Sequence, residues 1–325
     1  MMLNIGVVGV GHLGKHHARI FTGLENCKLI GVYDRISERA EEIANLYQVK
    51  AFESLEALLA KVDAVDIAAT TSDHYDLAKL VLQKGCHVFL EKPITSTLEQ
   101  AKELLLLAEE RKLKIQVGHI ERFNPVIMPI IEEIKNPMFI ESHRLAPFTP
   151  RGTDVPVVLD LMIHDIDLIL SFIKSPITEI RASGVGIVTT SIDIATARLE
   201  FANGAIANVT SSRISLKKER KIRFFQKDAY ISVDFQNQKT DILRKSPKFV
   251  LQLPNLLAGS PDFDLEKCLD IKEIVPTSNG KDALTMELAS FVAAVNNNTR
   301  PIVTGEDGMR ALEVALQILK TIESR

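Results

Sequence analysis

The sequence predicts an α/β fold in two parts, a doubly wound parallel sheet followed by an α+β region with an open, mostly antiparallel sheet. Short apolar runs alternate with helical patterns through the first 120 residues, and a glycine-rich turn follows the first run. From about Pro137 strand patterns dominate, and Asn203-Gly204 between two of them is a hairpin signal. We therefore predict a first domain at residues 1–120 and a second at 121–325, with the last helices able to pack back on the first domain.

Length, charge and cysteine content limit the classes of protein. At 325 residues the chain is long enough for two domains, and its net charge of −3 gives no general attraction for nucleic acid or an anionic membrane. The first residues lack a signal-peptide pattern and no apolar run reaches membrane-spanning length, so the cytoplasm is the expected location. Three widely separated cysteines, Cys27, Cys86 and Cys268, indicate a reducing compartment.

The first apolar run, NIGVV, leads into GVGHLG, in which Gly9, Gly11 and Gly14 have the spacing G-x-G-x-x-G. A helical pattern follows, and the second strand, KLIGVYD, ends in Asp34. This unit is typical of a dinucleotide-binding Rossmann domain, because the glycines let the backbone approach a diphosphate at the helix N-terminus and the acid accepts hydrogen bonds from a ribose. The charge of Asp34 favours NAD, whereas the neighbouring Arg35 could accept the 2′-phosphate of NADP.

Three more strands follow, VDAVDIAAT, CHVFL and KIQVG, with helices predicted from about Asp73 to Lys84 and from about Leu98 to Arg111. Alternation of this kind predicts a parallel sheet covered on both faces, and ligands of such sheets bind at the carboxyl ends of the strands. Those ends carry Gly9, Asp34, Thr70 with Thr71, Glu91 with Lys92, and His119. The chemically useful side chains are thus expected along one edge of the sheet.

The segment FLEKPI places Glu91 and Lys92 directly after an apolar strand and before Pro93, which stiffens the turn. In isolation, an acid and a lysine at a strand end are most simply interpreted as a surface ion pair. Their position on the same edge as the glycine-rich turn favours a functional role instead.

The apolar stretch VVLDLMIHDIDLIL, residues 157–170, contains three aspartates and a histidine. When it is wound as an α-helix, an arc of about 60° contains Asp160, His164, Asp167 and Ser171. Asp165 lies away from this polar stripe. The stripe either meets water on an otherwise buried helix or lines an internal cleft, where Asp160 and His164, four residues apart, can touch.

The second half is predicted to form strands in MFIESHRLA, ITEIRASGVGIV, DIATARLEFANGAIANVTSSR, KIRFFQKDAYISVDF and KTDILRK. One face of this sheet would be left uncovered, and pairing with another subunit would cover it, so we expect a homo-oligomer, a dimer or tetramer. The basic run LKKERKIR is interpreted as a solvated strand or hairpin. Residues 246–281, rich in proline and glycine, are predicted to be irregular.

Two segments between the predicted domains, VGHIERFNPV and SHRLAPFTPRGTD, are expected to border the cleft. They contain hydrogen-bond donors suited to an anionic, polyhydroxylated substrate, since arginine binds diphosphates in a bidentate manner. The candidates are Arg122, Asn124, Arg144 and Arg151. For any one of them, a salt bridge between domains is an equally good interpretation.

The motifs GVGHLG, EKPI and the D-x-x-x-H of DLMIHDID together resemble the glucose–fructose oxidoreductase/inositol dehydrogenase (Gfo/Idh/MocA) family over nearly the whole chain. The resemblance implies an N-terminal Rossmann domain, a C-terminal domain with a mostly antiparallel open sheet, and a catalytic set of Lys92, Asp160 and His164. It also implies that Thr71 and His74 lie against the dinucleotide. The predicted cofactor contacts are Gly9, Gly11, His12, Leu13, Gly14, Asp34, Arg35, Thr70, Thr71, His74, Glu91 and Lys92.

The segments GHIERFNP and LDLMIHDIDLIL also resemble a narrower branch, the bacterial UDP-N-acetylglucosamine 3-dehydrogenases. In that branch a 3-keto sugar nucleotide is made, ready for amination on the way to modified lipid A. The resemblance therefore implies a sugar or sugar-nucleotide substrate, NAD or NADP as cofactor, and no metal.

Hydride transfer from a sugar carbon requires a base that takes the hydroxyl proton. Either His164, tuned by Asp160, is this base while Lys92 stabilises the alkoxide, or His164 and Lys92 exchange roles. Two other functions fit the same architecture: a glycosidase that retains its NAD and oxidises the substrate transiently, and a regulator that senses the cofactor without chemistry. The presence of all three residues argues against the regulator, which needs none of them.

Overall fold

The computed structural model of the protein describes residues 2–149, 155–247, 249, 257–258, 268–276 and 282–324. The chain divides into two compact units. The first unit contains Met1–Phe123 and Gly280–Val314, and the second contains Asn124–Asn279 and Ala315–Arg325.

The first unit contains a six-stranded parallel sheet with the strand order β3-β2-β1-β4-β5-β6. Its strands are β1 Leu3–Val8, β2 Cys27–Tyr33, β3 Lys50–Ala51, β4 Ala64–Ile67, β5 His87–Glu91 and β6 Ile115–Gly118. The chain order reverses between β1 and β4, and such a reversal is the point where ligands bind in open α/β sheets. The predicted doubly wound parallel sheet is confirmed, and β3 is a strand that the sequence patterns missed.

The helices of this unit are α1 Gly14–Gly23, α2 Ser37–Tyr47, α3 Leu55–Leu59, α4 Thr71–Gln83 and α5 Leu98–Glu110. A short 3₁₀ helix follows at Ile120–Phe123. Local hydrogen bonds fix the starts of α3 and α5. Ser54 Oγ accepts from Ala57 N at 3.2 Å. Thr97 and Gln100 form a reciprocal capping box at 3.2 and 3.3 Å.

The core of the first unit lies between the sheet and its helices. Every residue of β4 is buried, as expected for a strand that is covered on both faces. A later helix, Ala283–Asn296 (α7), contributes Leu288 and Phe291 to the same core, where Phe291 meets Phe89 of β5 edge-on at 5.8 Å. Each large apolar side chain buried in this way stabilises the unit by about 1.5–3 kcal/mol.

The second unit contains an eight-stranded sheet with the order β14-β13-β12-β11-β7-β10-β9-β8. Its strands are β7 Phe139–Leu145, β8 Ile177–Val185, β9 Ile194–Phe201, β10 Ile206–Ser212, β11 Glu219–Phe225, β12 Ala229–Asp234, β13 Lys239–Lys245 and β14 Leu269–Ile274. The pair β7–β10 is parallel and the other neighbouring pairs are antiparallel. The predicted mostly antiparallel sheet is therefore confirmed.

The turn between β9 and β10 contains Asn203 and Gly204, as the hairpin signal predicts. Gly204 has a φ of +82°, whereas Asn203 does not have a positive φ; its side chain accepts from Ala205 N at 3.1 Å instead. The prediction of an irregular segment at 246–281 is wrong at β14, which pairs with β13. Four of the six residues of β14 are exposed, so this edge strand lacks the apolar alternation by which strands are recognised.

The apolar stretch at 157–170 begins with a π-helical turn, Val158–Met162, and continues as α6, Ile163–Phe172. The prediction of one regular α-helix is thus wrong at its beginning. A π-turn closes hydrogen bonds from residue i to i+5, so the spacing of 100° per residue does not extend to Asp160. The packing of α6 on the sheet includes an edge-on contact of Phe172 with Phe224 at 5.1 Å.

The last helix, α8, spans Gly305–Glu323, and a further 3₁₀ helix lies at Met128–Glu133. Across the described residues, no helix combines the length and the apolar character needed to cross a membrane.

Candidate active site

The glycine-rich turn directly follows β1. Gly9 has a φ of +84°, and a Cβ there would lie 2.8 Å from the backbone nitrogen of Ala69. A Cβ on Gly14 would collide with the carbonyl oxygen of Gly9. Around Gly11, by contrast, no described atom lies within 4 Å of the Cβ position. The outer glycines therefore allow the turn and the helix packing, and Gly11 leaves open space in which a ligand can approach the backbone.

Helix α1 begins inside this turn. Among the described residues, no side chain caps the helix and its first turn contains no acidic residue. The N–H groups of the first turn and the helix dipole therefore favour an anion such as a diphosphate. His12 and Leu13, which complete the turn, are both exposed.

Asp34 follows β2, and two backbone N–H groups fix its carboxylate. Oδ2 accepts from Val10 N and Oδ1 from Ile36 N, each at 2.9 Å. Because Val10 lies between the first two glycines of the motif, the acid is tied directly to the glycine-rich turn. Carboxylate oxygens accept more than one hydrogen bond, so Asp34 can still accept from ribose hydroxyls.

The start of α4 brings further predicted residues to the same edge of the sheet. The Thr70 hydroxyl donates to the Asp73 carboxylate at 2.6 Å, and Thr71 is the first residue of the helix. The same carboxylate lies 3.7 Å from Arg35 Nη1. Arg35 thus has an acidic partner that competes with a 2′-phosphate, which agrees with a preference for NAD over NADP.

His74, also on α4, is buried between two carbonyl groups. Nδ1 lies 2.9 Å from Pro93 O and Nε2 lies 3.3 Å from Ala69 O. Burial lowers the pKa of His74 below its ordinary value despite these acceptors, so a neutral imidazole donates to one of the two carbonyls. His74 thereby links α4 to the loop after β5. Its contact with a dinucleotide stays a prediction.

Glu91 is the last residue of β5, and Lys92 follows it, half-buried, before a cis peptide bond to Pro93. Glu91 Oε2 accepts from the backbone N–H of Lys92 at 3.2 Å. The carboxylate also lies against Gly118 at the end of β6, where a Cβ would approach it to 3.0 Å. Because Glu91 is buried, the interpretation of a surface ion pair does not apply to it.

A buried network beneath Lys92 was not found by reasoning from the sequence. His17 of α1 is completely buried, and its Nδ1 lies 2.7 Å from Oδ2 of Asp66 in β4. Its Nε2 lies 3.4 Å from Oε1 of Glu91. The sequence did contain one signal for this network. Asp66 is an acid within an apolar strand, and a buried charge requires a partner. We call His17, Asp66 and Glu91 the buried triad.

The triad retains a proton on its imidazole. Burial opposes a charge on His17, but the charge and hydrogen bond of Asp66, together with those of Glu91, outweigh it and raise the pKa of His17 well above its ordinary value. Burial likewise favours the neutral acid at Glu91, yet His17 and then Lys92 hold the pKa of Glu91 below its ordinary value. Burial raises the pKa of Asp66, the third member, above its ordinary value, although the charge and hydrogen bond of His17 oppose this shift. The directions at His17 and Glu91 favour an imidazolium beside a carboxylate.

In the second unit, Asp160 lies in the π-turn and His164 in the first turn of α6, and both are half-buried. Asp167, by contrast, is 1 % exposed, and the Ser171 hydroxyl donates to Leu168 O at 2.6 Å. The prediction of a four-residue polar stripe is therefore wrong at Asp167. Ser171, like Asp160 and His164, is half-buried and can meet water or a ligand.

Two buried contacts anchor the residues before this π-turn. Val157 N donates to Ile192 O at 2.9 Å, and Arg213 donates to Val155 O. Arg213 Nε also lies 3.8 Å from the buried carboxylate of Asp193. The start of the helix that carries the candidate base is thus attached to the end of β10 and to the loop before β9.

Arg144 forms a buried ion pair with Asp165. Its Nε and Nη2 donate to the two carboxylate oxygens of Asp165 at 2.7 and 3.0 Å, and both residues are buried. This geometry fits the salt-bridge interpretation, although the pair lies within one unit and not between two domains; a substrate contact stays a prediction. It also explains why Asp165 lies apart from the polar stripe.

The remaining predicted substrate residues are placed as follows. Arg122 Nη2 lies 3.8 Å from Asp307 Oδ1, and Asn124 Oδ1 accepts from Val126 N at 3.3 Å. Both side chains are largely buried, so a substrate contact for either stays a prediction. Arg151 lies outside the described residues.

Residues 3–119 match an oxidoreductase family with an NAD-binding Rossmann fold, and residues 142–232 match the GFO/IDH/MocA C-terminal domain. The chain is 37% identical to UDP-N-acetylglucosamine 3-dehydrogenase of Acidithiobacillus ferrooxidans, over 99% of this chain and 98% of that protein.

Two further matches extend over the whole chain. A solved structure of UDP-N-acetylglucosamine 3-dehydrogenase from Acidithiobacillus ferrooxidans superimposes with a TM-score of 0.89 at 36% identity, covering 100% of this chain and 99% of the other. Inositol 2-dehydrogenase of Rhizobium meliloti is 24% identical, over 100% of this chain and 98% of its own length.

The glycine-rich turn, the fixed acid after β2 and the parallel sheet define a dinucleotide-binding domain. The family match and the dehydrogenase relatives give the class of enzyme, an NAD-dependent oxidoreductase that acts on CH–OH groups. With the matches above, the chain belongs to the Gfo/Idh/MocA family. The residues present fit NAD, since Gly11 leaves space, α1 offers an anion site and Asp34 can accept ribose hydroxyls.

Proposed function

We propose that the chain oxidises the C3 hydroxyl of UDP-N-acetylglucosamine to a ketone with NAD. The observation that carries the proposal is 37% identity to a relative of that activity over 99% of the chain. The match extends over 99% of the chain, and this chain contains the two motifs that bear the proposed chemistry, EKP at 91–93 and D-x-x-x-H at 160–164.

The proposed catalytic set is Lys92, Asp160 and His164. As the C–H bond at the reacting carbon breaks, the hydroxyl proton must leave, and an imidazole near neutral pH is suited to take it. We assign this step to His164, with Asp160 orienting the ring and stabilising the imidazolium that forms.

Lys92 is assigned to the reacting oxygen. Its ammonium donates a hydrogen bond to the hydroxyl and stabilises the negative charge that develops on it, which lowers the barrier more than it strengthens ground-state binding. Bound NAD supplies the acceptor for the hydride. Residues of the first region, 1–120, are assigned to cofactor binding and those of 121–325 to substrate binding.

The test is net reduction of free NAD, followed by the absorbance of the reduced nicotinamide, with UDP-N-acetylglucosamine as substrate. Mass spectrometry should find a product lighter by two hydrogens. UDP-glucose, N-acetylglucosamine 1-phosphate and myo-inositol are the comparison substrates. Turnover confined to myo-inositol would contradict the sugar-nucleotide assignment, and glycoside hydrolysis without net reduction would favour the NAD-retaining glycosidase.

We further propose a homo-oligomer formed through the polar face of the second sheet. The face opposite α6 carries paired charges, such as Arg223 with Glu141 at 2.8 Å and Lys221 with Asp234 at 3.2 Å. A partner can cover such a face without leaving an unpaired charge. The three buried free cysteines support a reducing cytoplasm as the location, where a 3-keto sugar nucleotide would enter lipid A biosynthesis.

A further inference from the structure

We infer that His17 is a positioning residue for the dehydrogenase reaction: held between Asp66 and Glu91, it fixes the carboxylate that anchors the backbone of Lys92. The inference rests on the proposed role of Lys92 and extends it to a residue that never touches the substrate. It concerns only contacts within the first unit.

The geometry starts from four elements that meet beneath the EKP turn. Helix α1 supplies His17, β4 supplies Asp66 and β5 supplies Glu91, while β6 supplies Gly118, whose missing side chain leaves room for the Glu91 carboxylate. Each ring nitrogen of His17 faces a carboxylate, at 2.7 and 3.4 Å. The imidazole is therefore constrained in both position and orientation.

One hydrogen bond connects the carboxylate of Glu91 to the backbone of Lys92. Oε1 of Glu91 faces His17, and Oε2 accepts the backbone N–H of Lys92 at 3.2 Å. The contact with His17 is an attraction between charges without hydrogen-bond geometry, and the bond from Lys92 N is a hydrogen bond. Together they restrict rotation of the carboxylate and so the position of the N–H that it accepts. Since a displacement of about 1 Å at a reacting group costs roughly 100-fold in rate, this fixation matters for Lys92.

Charge is part of the constraint. The titratable groups around the carboxylate of Glu91 are His17 from α1, Asp66 from β4, His74 from α4 and Lys92 itself. A neutral imidazole can donate to only one of two acids, whereas an imidazolium donates to both. The positioning role therefore requires that His17 is protonated at the pH of catalysis.

The first experiment measures protonation without using activity. The chain has eight histidines, few enough to resolve by NMR after labelling the imidazole Cε1 with carbon-13. The signal missing from His17→Asn identifies His17 in the wild-type protein. We expect an imidazolium at about pH 7.5, one unit above the ordinary histidine pKa of about 6.5, and a lower midpoint in Glu91→Gln. A neutral His17 at that pH would overturn the inference.

The second experiment separates positioning from packing. His17→Asn and Glu91→Gln should lower kcat by about 10- to 100-fold, while KM for the sugar nucleotide and the Kd for NAD change by less than about threefold. Glu91→Gln keeps the shape of the side chain, so it remains informative if His17→Asn does not fold. The matched control is Phe89→Leu, which removes the ring that meets His17 edge-on at 5.8 Å. It should lower the melting temperature and leave kcat near the wild-type value.

The outcomes are distinguishable. If both triad variants lose only melting temperature, like Phe89→Leu, the triad is a packing feature and the inference is wrong. If the wild-type protein reduces no NAD with any sugar nucleotide but His17 is an imidazolium, the proposed function fails while the charged triad stands, and a positioning role in this reaction is withdrawn.

Discussion

Each unit of the protein contains buried charged side chains, and the two units pair these charges in different ways. In the second unit, Arg144 and Asp165 satisfy each other through two parallel hydrogen bonds, at 2.7 and 3.0 Å. In the first unit, the buried triad contains one imidazole between two carboxylates, and the second carboxylate continues to the backbone of Lys92. The first arrangement joins a strand to a helix, whereas the second reaches the carboxyl end of β5, the end at which ligands of parallel sheets bind.

This difference indicates what each set of charges does. A buried, bidentate pair between β7 and α6 contributes to the stability of these two elements. The buried triad, by contrast, is hydrogen-bonded to the backbone of half-buried Lys92 and so constrains where Lys92 lies. Changes in the triad should therefore affect turnover, and changes in the Arg144–Asp165 pair should affect unfolding.

The largest expected effect is on the groups proposed to perform the chemistry. Lys92→Met and His164→Asn should each lower kcat by about 1,000-fold, because each removes a proton-transfer or charge-stabilising group. The Kd for NAD, measured by fluorescence titration, should change little. Lys84→Met, at an exposed lysine that follows α4, is the control and should behave as wild type. Near-normal kcat in both variants would refute the catalytic assignment.

The next effect concerns the buried ion pair of Arg144 and Asp165. Arg144→Met should lower the free energy of unfolding by about 3–5 kcal/mol, because it leaves the Asp165 carboxylate buried without its guanidinium. Adding Asp165→Leu should recover much of this loss. Urea unfolding of both variants is the measurement. Arg181→Met, which breaks an exposed pair with Glu179, should leave stability unchanged. Equal losses at Arg144 and Arg181 would remove the distinction between buried and exposed pairs.

A smaller effect is expected at the cofactor end of the first sheet. Asp34→Asn should weaken NAD binding by about 10- to 100-fold, since a charged acceptor contributes roughly 1.5–3 kcal/mol, and should shift the preference towards NADP. Calorimetric titration with both cofactors measures the change. Asp63→Asn is the control. Asp63 accepts from Asn4 N at 3.0 Å at the amino-terminal ends of the strands, away from the cofactor end of the same sheet. An unchanged ratio of the two affinities would contradict the role of Asp34.

The smallest effect is a pH dependence of stability caused by His17. Its pKa is raised in the folded state, so its contribution is fully present below the unfolded value of about 6.5 and is lost as pH rises through the folded pKa. Over that window the wild type should lose stability relative to His17→Asn by at most about 1.4 kcal/mol per pH unit. Urea unfolding at several pH values tests this; parallel curves for both proteins would contradict it.

Local patterns predicted most of the first unit. The G-x-G-x-x-G spacing and Asp34 were recognisable because a glycine-rich turn and a strand end are defined by neighbouring residues. The strand β3 was missed since two residues are too few for a period to be visible. The π-turn at Val158–Met162 was missed because apolar residues surround it in any helical form.

The site was predicted less completely than the fold. The sequence motifs and the helical spacing identified Lys92 and His164 as candidates. They did not identify which residues pair with the charged side chains nearby. For Arg144 the sequence left a substrate contact and a salt bridge open, and only the structure shows the ion pair with Asp165.

The sequence by itself determined the alternation of strands and helices, the glycine-rich turn and the hairpin at Asn203-Gly204, because backbone conformation depends on adjacent residues. Only the tertiary structure decided that His17, Asp66 and Glu91 meet, since they come from three elements and the first two are 49 positions apart. The pairing of a buried charge depends on distance in space and on the absence of water, and local patterns in the sequence show neither.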